Sequence, residues 1–153
     1  MSLARKLMEK RIAHGTPASG FRGVEESEIA ALETELGAQF PEVYRDYLSV
    51  MGREPGGCGK SVDIRFGCLG AVNREFLEAA SHLKLGFALG DVVAIYANQG
   101  ADYLYFRADE ARADPDPPLR RLRLKKGASS EGCPSISDYL ERLLTGDIIL
   151  DEA

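Results

Sequence analysis

Tryptophan is absent from this chain of 153 residues, and histidine occurs only at His14 and His82. Neither histidine stands in a Cys-x-x-Cys or His-x-x-x-His arrangement, so no zinc-type ligand set can be assembled. Cysteine is just as sparse. Cys58, Cys68 and Cys133 are odd in number and widely spaced, which fits reduced thiols in a reducing compartment and not a disulfide framework. No stretch approaches the ~20 apolar residues that a membrane helix needs. Met1 to Lys10 lacks the apolar core and small-residue cleavage site of a secretory signal. A cytoplasmic location without a membrane partner is therefore expected. Lys and Arg nowhere form a dense block, and the formal net charge is -5, which argues against nucleic acid because phosphate neutralisation needs clustered cations.

What is present is an ordinary globular balance, 44% hydrophobic and 28% charged. At this length one domain can bury roughly 70% of its unfolded surface. A single domain over residues 1–153 is expected, with residues 1–23 an N-terminal helical extension. The acidity is uneven. Between Val24 and Asp46 the chain carries Glu25, Glu26, Glu28, Glu33, Glu35, Glu42 and Asp46 against Arg45 alone. Such a face could steer a basic protein partner, although solvated helix faces are commonly charged too.

Leu3, Leu7, Met8 and Ile12 at helical spacing predict an entry helix, closed by Gly15, Pro17 and Gly20. Ile29, Leu32 and Leu36 predict a second helix stopped at Gly37. Pro41 opens a third, with Tyr44, Tyr47, Leu48 and Met51 on its apolar stripe and Gly52 at its end. After the glycine-rich stretch 52–59, Val62, Ile64 and Phe66 alternate as a strand would. Asn73 reads as the N-cap of a short helix bearing Phe76, Leu77 and Ala80. Val92 to Ala97 and Tyr103 to Arg107 read as a hairpin around Asn98, Gln99 and Gly100. Prolines 115, 117 and 118 interrupt the chain before Leu122 and Leu124 alternate with Arg121, Arg123 and Lys125, a strand with one basic, wet face. Ser135 and Asp138 then cap a closing helix that Gly146 ends. This order predicts an α+β fold: a mainly antiparallel central sheet, helices packed at one side, and a C-terminal helix.

The segment VEESEIAALETELGAQFPEVYRDYLSVMGREPGG (Val24 to Gly57) resembles the N-terminal signature of the SUKH superfamily, with Glu33, Gly37, Pro41, Tyr44, Leu48 and Gly52 at the pattern positions. GDVVAIYANQGADYLYF (Gly90 to Phe106) is similar to the family's strand pair, DPPL (Asp116 to Leu119) follows it, and SISDYLERLL (Ser135 to Leu144) looks like its closing helix. The chain departs from the pattern at Met51, where the family often has Asn, and at Gly100-Ala101-Asp102, where a Gly-Asp step is loosened. The resemblance implies a compact α+β domain without catalytic residues or cofactor. It also implies an immunity protein that blocks a bacterial toxin domain, often a nuclease, by direct binding, or else a regulatory scaffold like the family's fungal cell-wall synthesis regulators.

Candidate partner-binding residues are Glu25, Glu26, Glu28, Glu33 and Glu35 on the acidic segment, with Tyr96, Asp102 and Tyr103 on the hairpin. Tyrosines pointing outward from a strand can serve as rigid anchors; the competing role is to fill the space between sheet and helices. A thiol hydrolase built on Cys58, with His82 and Asp91 as base and orienting carboxylate, is the enzyme alternative, but no spacing supports it. GREPGGCGKS ends like a phosphate-binding loop yet lacks that motif's first Gly in register and follows a helix. The oligomeric state is left open by the sequence.

Overall fold

A computed structural model describes residues 1–146. Helices α1 (Leu3–Ala13), α2 (Glu26–Leu36) and α3 (Glu42–Met51) come first, with a two-residue ribbon of β1 (Phe21–Arg22) and β2 (Glu54–Pro55) beside them. Helix α4 (Leu69–His82) leads into strands β3 (Val92–Asn98) and β4 (Asp102–Arg107). A short α5 (Ala108–Ala113), strands β5 (Leu119–Arg123) and β6 (Gly127–Cys133), and α6 (Ile136–Thr145) complete the order. The main sheet is an antiparallel meander, β3-β4-β5-β6. The α+β class, the antiparallel sheet and the C-terminal helix are as the sequence predicts.

One part of the layout differs from expectation: the helices cover both faces of the sheet. Val93, Ile95, Tyr96, Leu104, Phe106 and Leu119 face a core shared with α1, α2, α3 and α6. Ala94, Ala97, Tyr103, Tyr105 and Leu122 face Val72, Phe76 and Ala80 of α4. A strand buried on both faces reads as a continuous apolar run instead of an alternating one, and VVAIYA in β3 is such a run. The register slips between Ala94 and Tyr96, so the extra residue Ile95 lets both Ile95 and Tyr96 face the same core.

The helix boundaries follow local chemistry. Gly37 caps α2 in the left-handed region at φ 73°. Gly52 ends α3 for a different reason: with φ at -62°, it is space that excludes a side chain, since a Cβ there would lie 2.7 Å from the Leu48 Cα. The Ser135 Oγ accepts from the Asp138 N–H at 3.0 Å. Asp116 adds a second cap from afar, its Oδ1 accepting from the Ser137 N–H at 2.9 Å. The Pro115 carbonyl accepts from the Val43 N–H at 3.2 Å and the Pro117 carbonyl from the Ile136 N–H at 3.0 Å. The proline-rich stretch thus supplies acceptors to the open N-termini of α3 and α6. Helix α1 packs on α3 and α6, and the Arg11 guanidinium donates to the Leu144 carbonyl at 3.1 Å.

Several local expectations are corrected. Residues 62–66 do not form a strand. Asp63 makes a single bridge to Ala97, and Phe66 turns away, its N–H donating to the Gly52 carbonyl at 2.9 Å. Asn73 is no N-cap but a buried residue within α4. Its Nδ2 donates to the Ala94 carbonyl at 2.9 Å and its Oδ1 accepts from the Ala94 N–H at 2.8 Å. A side-chain amide thus does at Ala94, and a backbone peptide at Asp63 does at Ala97, what a further strand would do along an open edge. The predicted wet basic face of β5 fails at Arg121, which is buried and paired in bidentate fashion with Asp102 at 2.9 and 2.7 Å. The helix-covered sheet leaves it no water to face. Strand β6 and α5 were not anticipated, since GASSEGC lacks the β-branched and aromatic residues that announce a strand and α5 is short.

Candidate functional site

Two edges of the molecule carry carboxylates. The first is the α2 edge. Glu26 pairs with Arg45, and Glu28 takes both its oxygens to Arg53 Nη2 at 2.9 and 2.8 Å. That guanidinium, together with the Glu25 N–H, holds the Glu28 carboxyl below its ordinary range. Glu25 is exposed at the helix N-cap, where its N–H donates to Glu28 Oε2 at 3.3 Å. Glu33 is half-buried. It accepts from the Phe40 N–H at 2.6 Å and lies 3.4 Å from Arg45, so it clamps the α2–α3 link across Gly37. Glu35 is exposed above a groove of about 540 Å³ between α2 and α4, into which Arg74 also projects. Arg53 lies over the Phe66 ring in the same groove wall, 5.8 Å from its centroid. On this edge Glu26, Glu28 and Glu33 are paired, whereas Glu25 and Glu35 have no ion-pair partner among the described residues.

The second edge lies where α4 passes the β3–β4 turn. Glu75, Glu78, Ala79 and His82 share one face of α4 by their i, i+3, i+4, i+7 spacing. With Leu83, Gly100, Tyr103 and Leu124 they line a groove of about 490 Å³. The turn beneath it places Gln99 and Gly100 at φ 54° and 68°, the primed geometry that suits a tight hairpin. Its floor is apolar, and Leu124 is 42% exposed at the mouth. Among the described residues Asp63 and Glu75 have no ion-pair partner, and Glu78 has only exposed His82 at 4.0 Å. Burial first, and then the charges of Glu75, Asp63 and Glu78, push the Tyr103 phenol above its ordinary range. Sequence reading passed over this trio because it followed the densest acidic run. The i, i+3 pair Glu75 and Glu78, without a nearby arginine in sequence except Arg74, was the available signal.

The hairpin candidates are corrected by the same layering. Of the two roles open to Tyr96 and Tyr103, outward anchor or filling between sheet and helices, both take the second and are buried, because each sheet face is covered by helices. Tyr96 packs edge-on to Tyr139 at 6.4 Å, and burial pushes its phenol up to about 12. Tyr103 packs 5.3 Å from Phe76 and contributes only to the groove floor. Asp102 is engaged by Arg121. Cys58, the nucleophile of the enzyme alternative, is buried, and burial raises its thiol, the reverse of an activated nucleophile. His82 sits exposed on α4, and Asp91 accepts from the Ala88 N–H at 2.9 Å. Among the described residues no group of three or more His, Cys, Asp or Glu could hold a metal ion. No described helix is long and apolar enough to cross a membrane.

The pattern residues converge on one place. Glu33 and Gly37 close α2, Pro41 opens α3, and Tyr44 stacks on Tyr47 at 5.9 Å and meets Phe40 edge-on at 5.5 Å. The Leu48 carbonyl accepts from both Val24 and Gly52. The model of the SMI1 / KNR4 family (SUKH-1) matches residues 23–142. The chain belongs to this SUKH-1 family. The matched span runs from just before α2 into α6 and leaves out α1. In SUKH-1 terms the six pattern residues are a folding device: they fix the α2–α3 corner against the sheet and offer no reactive group to solvent. No curated protein matches the chain.

Proposed function

We propose that this protein is a non-catalytic binding domain that acts in the cytoplasm by neutralising a cationic toxin domain, often a nuclease in this family, through direct contact. Membership of the SMI1 / KNR4 (SUKH-1) family carries the reading. The net charge of -5 is consistent with a basic partner, and the candidate thiol, Cys58, is buried and raised, which disfavours nucleophilic chemistry.

The experiment is neutralisation of the toxin encoded beside this gene. The purified toxin domain, mixed with an equimolar amount of this protein, is expected to lose its activity and to co-elute with it in gel filtration. Retained activity of every neighbouring toxin overturns the reading. A pull-down that returns one stoichiometric housekeeping protein instead would favour the regulatory-scaffold role.

A further inference from the structure

We propose that the groove between α4 and the β3–β4 turn is the docking site for a cationic, apolar-stemmed segment of the protein partner, with a Lys or Arg head at Glu75 and Glu78 and its stem on Tyr103 and Leu124. This deepens the binding-domain reading and rests on it.

The charges on the two edges decide the location. On α2, Glu26, Glu28 and Glu33 already face Arg45 and Arg53, and Glu35, which has no ion-pair partner among the described residues, shares its groove with Arg74, whereas no described arginine or lysine lines the α4 groove. At α4, Glu75 has no ion-pair partner among the described residues, and Glu78 has only an exposed histidine at the limit of contact. An incoming cation there gains attraction without breaking a pair.

The floor supplies the second half of the match. Leu124 is one of few large apolar side chains left exposed, and Tyr103 is held between Phe76 and the turn, its hydroxyl donating to the Gly100 carbonyl at 3.3 Å. Long cationic side chains lay their methylenes on such apolar surface and keep the charged head at the polar rim. A floor already fixed by packing loses little freedom on binding. The volume, about 490 Å³, falls in the range that accommodates a few side chains.

The test titrates the isotopically labelled full chain with a short peptide alternating arginine and leucine, followed by backbone amide shifts, with a glutamate–leucine peptide as control. Shifts are expected at Ala79, His82, Leu83, Gly100, Tyr103 and Leu124 and not along residues 26–36. The E75Q/E78Q double variant, which alters exposed side chains only, should weaken binding at least about tenfold. Shifts centred on α2, shifts scattered over the surface, no shifts at all, or equal response to the acidic peptide overturn the proposal. With the neighbouring toxin, undiminished neutralisation by an E75K/E78K variant sinks the groove while leaving the immunity reading intact. Should no toxin be neutralised by the native protein, that reading falls and the peptide titration still decides the groove.

Discussion

Glu26, Glu28 and Glu33 on α2 and Glu75 and Glu78 on α4 are the same kind of acceptor on the same kind of helix. Arg45 and Arg53 come back from α3 and its C-terminal end to meet the first set. The sheet meets the second set with a tyrosine and a leucine. Acidity in sequence therefore measures the supply of carboxylates, whereas acidity of a surface depends on what the fold places opposite them. The paired glutamates of α2 hold the domain together, and Glu75 and Glu78 on α4 are left with charge to offer.

Raising the pH should have the largest effect, because both edges stand on a core in which all six tyrosines are buried. Burial raises Tyr44, Tyr47 and Tyr139, and Tyr96 reaches about 12, against about 10 in the unfolded chain. The folded state then binds more protons above pH ~10, so stability is full below that value and falls as pH rises toward the folded values. Phenolate absorbance followed with circular dichroism should appear together with unfolding; phenolate titration near pH 10 with the fold intact would contradict this core.

Next comes the buried pair. Asp102→Ala strands the Arg121 guanidinium and should cost about 3–5 kcal/mol in urea denaturation. A loss no greater than that of a surface change would mean that Asp102 is available to a partner after all. Glu33→Ala removes the acceptor for the Phe40 N–H and a partner of Arg45, and about 2 kcal/mol should be lost. The smallest effect belongs to the α4 edge: E75K/E78K should leave stability within about 0.5 kcal/mol. If that variant destabilises as much as Glu33→Ala, the two edges do not differ in kind.

Most of the element order was legible because capping residues and periodicity report on local physics. Gly37, Ser135 and the Asn98–Gly100 turn lie where their backbone demands place them, and Gly52 lies where Leu48 leaves no room for a side chain. What escaped depends on neighbours remote in sequence. Asn73 has the composition of a cap but bonds a strand 21 residues away, and Arg121 looks solvated until α-helices are known to close both sheet faces. That same closure of both faces gives Tyr96 and Tyr103 a packing role and not that of outward anchors. The groove was invisible for a related reason: Glu75 and Glu78 meet Gly100, Tyr103 and Leu124 only once α4 lies against the sheet.

The Pro115–Pro117 stretch has a consequence for local unfolding. It accepts from Val43 at the start of α3 and from Ile136 and Ser137 at the start of α6, so undocking this one loop exposes donors on two helices that are far apart in the chain. Neither helix can fray at that end alone. Slow-exchanging amides at Val43, Ile136 and Ser137 should open as a single cooperative unit, and the α3 corner and the closing helix then share one threshold for opening.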